Sequence, residues 1–377
     1  MNTPPPISIL HICKMTGVAG TENHLLTLLP GLAKRGLNIH LWVLTEPDKP
    51  LTDYLAEMRG RGVPAEGIPI HKDVELPLIG QLAARIRALA PAAVHTHLIH
   101  ADWHGIPAAR RAGVKRIFTS GHNDDQFRRR PAIRLIQAYL WRRLTAGIAI
   151  SEAVRQFMIR VELAPPRKVH TVHYGLDPAP TEGRIERIVA RAEWGLSADQ
   201  VVIGSVCRLI EQKGLPYGLR AFKAVAERFP QVRYVLIGDG PLRGGLQQEA
   251  ESLGVADKVI FAGWQADAPI KMHAFDIFLM PSLWEGFGLV MLEAMAARLP
   301  IVASRVSALP EICQEGQTGF LAPPGDVATL AERLSALVGD PALRAAFGAA
   351  GRAHLESAFS TAKMIESTLG VYRAGGL

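Results

Sequence analysis

The sequence lacks any uninterrupted apolar run of about 18 residues, the length that a membrane-spanning helix needs. It holds only three cysteines, Cys13, Cys207 and Cys313, which are too few and too far apart for a disulfide framework or a metal-ligand cluster. Residues 1–6 lack the basic and apolar regions of a secretory leader, and the pattern is typical of a short tail before a strand. These absences predict a cytoplasmic protein without a transmembrane segment.

Several motifs of metal and nucleotide chemistry are also missing. No G-x4-G-K-[ST] loop is present, which argues against a P-loop nucleotidase. No D-x-D pair is present that would bridge a metal to a diphosphate, so we expect no metal and no cofactor. Gly238-Asp239-Gly240 begins like a dinucleotide fingerprint, but Arg243 occupies the third glycine position. We interpret this segment as a tight turn after a strand, lining a nucleotide site.

Histidine is concentrated in the first half of the chain, which holds eleven of the thirteen. His95, His97, His100 and His104 suggest a metal site, since His100 and His104 fit one face of a helix. No H-E-x-x-H motif or paired carboxylate accompanies them. We therefore interpret them as strand-end and surface histidines.

Positive charge is also concentrated in the first half. Residues 1–177 hold 23 Lys and Arg against 14 Asp and Glu, whereas residues 178–377 hold 19 against 21. This asymmetry predicts an anionic partner for the first half.

Residues 126–143 contain six arginines, no acidic residue and apolar residues at near-helical spacing. One interpretation is a basic amphipathic surface that contacts anionic lipid or a lipid-diphosphate acceptor through Arg128, Arg129, Arg130 and Arg134. The other is a domain helix with a buried apolar face and solvated arginines. No recognised nucleic-acid module accompanies the charge, so we expect no nucleic-acid partner.

Short apolar runs alternate with helical patterns in two blocks, which predicts two doubly wound α/β domains with parallel sheets. The join lies near Asp177–Thr181, where two prolines interrupt regular structure, and Ser360–Tyr372 forms a final helical pattern. The predicted strands are Ile7–Cys13, Ile39–Leu44, Ala93–His97, Ile117–Ser120, Gly147–Ile150, Val201–Cys207, Tyr234–Ile237, Val259–Phe261, Ile277–Met280 and Pro300–Ala303.

The strongest chemical signal follows the strand Ile277–Met280, in the sequence PSLWEGFGLVMLE. Gly286 and Gly288 place Glu285 in a loop and Glu293 in an early turn of the next helix. The two carboxylates could then bind different parts of one ligand, while backbone N–H groups at the start of the helix bind a diphosphate. The alternative is that Glu293 only stabilises the helix N-terminus.

A second signal follows the strand Val201–Cys207, where Arg208 and Lys213 precede Gly214 and a helix. Two cations at the end of a strand can neutralise a diphosphate. The alternative is a solvated loop with two ordinary surface cations.

Together these segments resemble glycosyltransferase family 4. Glu285 and Glu293 are similar to its E-x7-E signature, and Arg208 with Lys213-Gly214 is similar to its R-x4-K-G element. Other similar segments lie along the chain in the family's order: Gly20-Thr21-Glu22, Gly121-His122-Asn123, Ile150–Ala153, His173–Asp177, Gly238–Gly240 and Leu309–Glu311.

The resemblance implies the GT-B architecture, with two facing Rossmann-like domains that contain parallel sheets. Residues 1–177 would bind the acceptor, residues 178–357 the nucleotide-sugar donor, and residues 358–377 would form a helix that crosses back to the first domain. It also implies metal-independent transfer of a sugar, with retention of configuration, to a glycan or glycolipid acceptor in cell-surface polysaccharide biosynthesis. The protein would then be cytoplasmic or peripheral on the cytoplasmic face of a membrane.

The same resemblance implies roles for individual residues. Arg208 and Lys213 would bind the diphosphate, Glu285 the transferred sugar and Glu293 the ribose hydroxyls. Backbone amides of Gly286, Phe287, Gly288, Leu289 and Val290 would hold sugar and phosphate. Gly20 would approach the phosphates from the first domain, and His122 would orient donor or acceptor near the reacting centre.

Two positions depart from the family pattern, since Ala19 replaces a glycine and His173 an asparagine. The first departure puts the contact through Gly20 in doubt. Two alternatives use the same architecture, a nucleotide-sugar epimerase and a catalytically silent sugar-nucleotide-binding protein.

Overall fold

The computed structural model describes residues 6–17, 20–178 and 187–377. Ala19, most of the tail and the greater part of the predicted join lie outside these residues. The chain divides into two compact units. The first unit runs up to Gly175 and includes Thr361–Leu377, and the second unit is Leu176–Ser360.

Each unit is built on a parallel sheet, which confirms the predicted fold class. The first sheet has the order β3-β2-β1-β4-β5-β6-β7 and the second the order β10-β9-β8-β11-β12-β13. The strands are β1 Ser8–Met15, β2 Asn38–Thr45, β3 Ala65–Pro69, β4 Ala93–His97, β5 Arg116–Gly121, β6 Ala146–Ala149, β7 Val169–Thr171, β8 Val201–Val206, β9 Val232–Ile237, β10 Val259–Gly263, β11 Ile277–Met280, β12 Ile301–Ser304 and β13 Gly319–Ala322.

Helices connect these strands. They are α1 Gly20–Ala33, α2 Thr52–Gly60, α3 Leu76–Leu89, α4 Ile99–Arg111, α5 Pro131–Trp141, α6 Glu152–Arg160, α7 Arg187–Ala192, α8 Leu215–Arg228, α9 Arg243–Ser252, α10 Ala268–Lys271, α11 Leu289–Ala296, α12 Leu309–Ile312, α13 Val327–Gly339, α14 Pro341–Ala358 and α15 Thr361–Ala374. None of the helices in the described ranges combines the length and apolar character needed to span a bilayer.

The strands predicted from apolar runs are confirmed, with ends that differ by one or two residues. The strands β3, β7 and β13 were not predicted. All three lie at the edge of a sheet, where a strand has only one neighbour. Short edge strands need less continuous apolar sequence, and β3 contains a glycine and a proline, which are typical of edges.

The last helix completes the first unit, as the predicted crossing back implies. α15 packs against α1. Its buried residues Met364, Ile365, Leu369 and Tyr372 share one hydrophobic core with β1, α1 and β2.

The strand order reverses at one point in each sheet, between β1 and β4 and between β8 and β11. In open parallel sheets the crevice outside the carboxyl ends of the strands at such a point is where ligands bind. In the second unit, the loops that follow β8 and β11 lie at this point.

Candidate functional site

Two loops of the second unit are hydrogen-bonded to each other at the point where the strand order reverses. One follows β8 and contains Gln212, and the other follows β11 and contains Leu283 and Trp284. Leu283 N donates to the Gln212 carbonyl at 2.8 Å, and Gln212 Nε2 donates to the Trp284 carbonyl at 3.0 Å. The predicted segments around Lys213 and Glu285 are thus brought together, although 72 positions separate these two residues.

A glycine makes this close approach possible. Gly214 has a φ of 60°, and a Cβ at this position would lie 2.0 Å from the carbonyl oxygen of Pro281. Any side chain here would push the two loops apart.

Lys213 and Glu285 form an ion pair at the centre of the site. Lys213 Nζ lies 2.5 Å from Glu285 Oε1. Ser282 Oγ donates to the same oxygen at 2.9 Å, and Glu285 N donates to Ser307 Oγ at 3.3 Å. The Glu285 residue is only 5 % exposed, and its carboxylate is held by Lys213 and Ser282 while its backbone is held by Ser307.

Ser282 and Ser307 were not identified from the sequence. Ser282 stands three positions before Glu285, which is a spacing that could have suggested a contact. Ser307 lies on a separate loop after β12, and no spacing relates it to Glu285.

Arg208 has a different environment from Lys213. It is exposed, and none of the described residues forms a hydrogen bond or ion pair with its guanidinium. Its backbone is positioned by the turn Gly238–Gly240, because Leu209 N donates to the Asp239 carbonyl at 2.9 Å. A Cβ on Gly238 would lie 1.9 Å from the Cys207 carbonyl oxygen, so this predicted turn lies directly against the loop that carries Arg208.

The predicted diphosphate-binding backbone leads into α11. Gly288 precedes the helix with a φ of 93°, and Leu289 and Val290 form its first turn. The first N–H groups of a helix have no intrahelical acceptor and point outward, which suits an anion. The Phe287 side chain is buried and contacts the ring of Phe359, so only its backbone can serve the predicted role. Gly286, in the same loop, is partly exposed.

Glu293 lies on α11, in the turn after Leu289 and Val290. Burial raises the pKa of its carboxyl group to about 7. Among the described residues, none donates a hydrogen bond to this carboxylate. Glu293 therefore gains from a ligand that supplies hydroxyl donors, because its charged form is poorly solvated.

In the first unit, Gly20 and His122 occupy contrasting positions. Gly20 is exposed at the start of α1, and a Cβ there would meet nothing within 4 Å. His122 follows β5 and is buried, with its Nε2 3.1 Å from His97 Nδ1 and its Nδ1 2.6 Å from the Tyr174 hydroxyl. Both ring nitrogens of His122 are therefore occupied. A hydrogen bond from this ring to a substrate would have to replace one of these two bonds.

The predicted surface of four arginines is wrong for Arg128. Its side chain is buried, with Nη1 2.6 Å from Glu162 Oε1 and Nη2 3.0 Å from Asn123 Oδ1. A buried carboxylate needs a buried cation, so Arg128 is a structural partner of Glu162. Arg134 is partly buried and donates to the Val161 carbonyl at 3.1 Å, whereas Arg129 and Arg130 are exposed.

The interpretation of the histidines as strand-end and surface residues is confirmed for His97, which ends β4, and His95 lies two residues before it. It is wrong for His104, which is buried within α4. His95, His97 and His104 are fully buried, and only His100 is partly exposed. Both ring nitrogens of His104 are occupied, Nδ1 by the His100 carbonyl at 2.7 Å and Nε2 by Glu75 N at 3.0 Å.

Sequence comparisons place this site in a family. The family model described as Glycosyltransferase Family 4 matches residues 18–180, and the model Glycosyl transferases group 1 matches residues 186–354. The alpha-maltose-1-phosphate synthase of Mycolicibacterium smegmatis is 30 % identical, over 90 % of this chain and 95 % of that one. This chain belongs to glycosyltransferase family 4.

A second relative has a lipid-linked substrate in its name. The GDP-mannose-dependent alpha-(1-6)-phosphatidylinositol monomannoside mannosyltransferase of the same species is 32 % identical to this glycosyltransferase, over 74 % of this chain and 68 % of that one. Both relatives are transferases or synthases, so they do not support the epimerase alternative.

Solved structures share the fold of this glycosyltransferase. The crystal structure of Anabaena HepE in complex with UDP-glucose matches with a TM-score of 0.85 at 21 % identity, over 98 % of this chain and all of that one. WaaG, a glycosyltransferase involved in lipopolysaccharide biosynthesis, matches with a TM-score of 0.73 at 16 % identity, over 97 % of this chain and 99 % of that one. At these identities the likeness establishes the GT-B fold.

Proposed function

We propose that this glycosyltransferase takes a sugar from a nucleoside-diphosphate donor and transfers it, with retention of configuration and without a bound metal, to a glycan or lipid-linked acceptor. The bond between the anomeric carbon and the diphosphate oxygen breaks, an acceptor oxygen bonds to that carbon, and the proton of the acceptor hydroxyl passes to the departing diphosphate. The diphosphate leaves with the electron pair, so the main electrostatic demand is for positive charge at the leaving group.

The Lys213–Glu285 pair beside exposed Arg208 is the observation that carries this proposal. Glu285 holds Lys213 in place before any ligand arrives, so little reorganisation is needed when a diphosphate binds. Arg208 has no acidic partner among the described residues, so its charge is available to an anion. With the first turn of α11, these cations supply the charge that a metal would otherwise provide.

Arg208→Ala is the sharpest test, because the exposed side chain can be removed without breaking a contact of the fold. We expect the transfer rate to fall by about 100-fold or more, the loss typical of removing one preorganised charge-stabilising donor, with an unchanged melting temperature. Arg228→Ala, an exposed arginine at the far end of α8, is the matched control and should retain full activity. Full activity in Arg208→Ala would refute the phosphate role.

The donor and the stereochemistry need separate measurements. A thermal-shift screen over UDP-, GDP- and ADP-sugars should identify the donor, since a ligand that binds the native state raises its melting temperature. Proton NMR of the product should show the anomeric configuration of the donor, and EDTA should leave the rate unchanged. An inverted product, or a rate that EDTA abolishes, would contradict the corresponding part of the proposal.

We also propose that α5 contacts an anionic membrane surface, which fits a lipid-linked acceptor. Three apolar side chains of α5 are exposed, Leu135 at 69 %, Ile136 at 46 % and Tyr139 at 53 %. Exposed arginines flank them, namely Arg129, Arg130, Arg142 and Arg143. Apolar side chains that enter the headgroup region with arginines around them are typical of interfacial helices.

Vesicle flotation tests this surface. The protein should float with vesicles that contain anionic lipid at low salt and stay behind with neutral vesicles. Leu135→Asp should abolish flotation, whereas Leu76→Asp, at the start of α3 and 71 % exposed, should not. Equal flotation of the two variants would show that α5 is not the contact surface.

A further inference from the structure

Four buried rings of the first unit form one hydrogen-bonded chain. Tyr174 hydroxyl lies 2.6 Å from His122 Nδ1, His122 Nε2 lies 3.1 Å from His97 Nδ1, and His97 Nε2 lies 2.9 Å from His11 Nδ1. His97 is the last residue of β4 and His11 lies on the neighbouring β1. The chain therefore runs from the loop after β5 into the interior of the sheet.

These rings are neutral near pH 7. Burial lowers the pKa of His97 to about 3, and burial together with neighbouring histidines holds the pKa of His11 and His122 well below the ordinary value. A neutral imidazole has one N–H donor and one bare nitrogen acceptor. Each bond between two of these histidines joins an Nε2 to an Nδ1, so the three rings must all carry their proton on the same nitrogen.

The inner end of the chain is closed. His11 Nε2 is buried, and no residue in the described part of the chain forms a hydrogen bond with it. A proton relay that changed the tautomer of all three rings would have to add or remove a proton at this nitrogen, so the closed end blocks such a change.

A metal centre is the competing interpretation, since nitrogens of His11, His95 and His97 lie within 4.8 Å of one another. Both nitrogens of His95 are already occupied, however, Nδ1 by the Tyr372 hydroxyl at 2.6 Å and Nε2 by Ser120 Oγ at 2.8 Å. The rings of His95 and His97 are also stacked, with centroids 4.4 Å apart, so they do not point at a common centre. The contacts favour a hydrogen-bonded chain.

We propose that His97 and His11 are positioning residues that lock His122 in one tautomer and one ring orientation. His97 bonds His122 from the sheet side, and His11 in turn fixes which nitrogen of His97 carries the proton. The consequence for turnover rests on the role proposed above for His122 near the reacting sugar. The tautomer lock itself does not depend on that role.

Nitrogen-15 NMR of histidine-labelled protein tests the lock directly. His11, His97 and His122 should each be neutral from pH 5 to 8 and should share a single tautomer. A mixture of tautomers, different tautomers in the three rings, or titration of His122 in this range would overturn the proposal. Shifts of the His95 and His97 signals on addition of zinc chloride would favour the metal centre instead and would also overturn it.

Two substitutions of His97 separate positioning from simple packing. The amide of Asn lies near the place of Nδ1 and that of Gln near the place of Nε2, and both amides can donate or accept. His97→Asn should therefore keep the partner of His122 and most of the turnover. His97→Gln should release His122 into mixed tautomers and lower kcat about tenfold, the equivalent of one hydrogen bond. Equal turnover and equal NMR signatures in the two variants would refute the positioning role.

His95→Gln is the control for loss of a buried ring. His95 stacks on His97 but lies outside the chain. This variant should lose stability while His122 keeps its single tautomer. The two proposals fail in different experiments. Full activity of Arg208→Ala would count against the proposed transfer mechanism, whereas mixed tautomers in the NMR spectrum of the wild-type protein would count against the lock.

Discussion

Glu285 and Glu293 are eight positions apart, but their carboxyl groups have different surroundings. The Glu285 carboxylate has Lys213 and Ser282 as fixed partners. Burial alone raises the pKa of Glu293 to about 7, because its charged form lacks such partners. Glu285 therefore has its partners without a ligand, whereas we expect Glu293 to gain partners only when the proposed nucleotide-sugar binds.

Glu293→Gln should stabilise the free protein and weaken donor binding. The folded-state pKa of about 7 lies above the ordinary value of 4.5, so the folded state binds more protons between these values and loses stability as pH rises through them. Above pH 7 the penalty is complete. A pKa rise of this size corresponds to about 3 kcal/mol, so we expect the melting temperature of the variant to exceed that of the wild type by several degrees at pH 8 and to match it near pH 4.

Calorimetry across pH, with donor titrations, measures both effects. Glu227→Gln, at an exposed glutamate of α8, is the control and should show no such pH-dependent gain. A stability difference for Glu293→Gln that is the same at pH 4 and pH 8 would contradict the burial argument.

At the scale of elements, the loops after β8 and β11 depend on backbone contact. Gly214 and Gly254 both have positive φ, 60° and 71°, but only Gly214 has another backbone, at Pro281, in the space of a Cβ. Alanine substitutions at these two glycines therefore distinguish the free-energy cost of a left-handed conformation from the additional cost of displacing a loop.

Gly214→Ala should lower both stability and activity, and Gly254→Ala only stability. The left-handed conformation costs each alanine about 1–2 kcal/mol. In Gly214→Ala the displaced loop also moves Lys213 away from Glu285, so we expect the transfer rate to fall by about tenfold or more, as for the loss of a well-positioned group. Melting temperatures and initial rates of both variants are the measurement, and equal rates in the two variants would show that loop contact does not position the site.

The strand pattern of these elements was accessible from the sequence because interior parallel strands are apolar on both faces. β8 and β11 were predicted for this reason, and so was the placement of Arg208 and Glu285 just after them. The edge strands β3, β7 and β13 have one neighbour only and gave no comparable signal. Ser307 was missed because its contact with Glu285 exists only once β11 and β12 lie side by side.

At the scale of the molecule, the two units are not simple halves of the chain. The first unit takes its last helix from residues beyond the second unit. Five side chains of α15 are buried in the first core, namely Met364, Ile365, Leu369, Val371 and Tyr372. Both ends of the chain are therefore needed to complete one unit.

Deletion of residues 361–377 should unfold the first unit and leave the second folded. Without α15 the apolar faces of α1 and β1 are exposed to water, at a cost of about 25 cal/mol for each Å². Hydrogen exchange followed by mass spectrometry should show loss of protection in β1 and β2 and retained protection in β8 and β9. Ser367→Ala, on the exposed face of α15, should change neither, and a truncated chain with a protected β1 would refute the prediction.

The sequence by itself determined the doubly wound class, the family resemblance and the positions of the residues predicted to bind a diphosphate, because local periodicity and short motifs record strands, turns and the loops between them. Only the tertiary structure decided which charged and polar side chains are buried and with whom. Arg128 forms a buried pair with Glu162, and His11, His97 and His122 form one chain. These partners come from separate strands, helices and loops, and burial lowers the pKa of the three histidines only after packing has removed them from water.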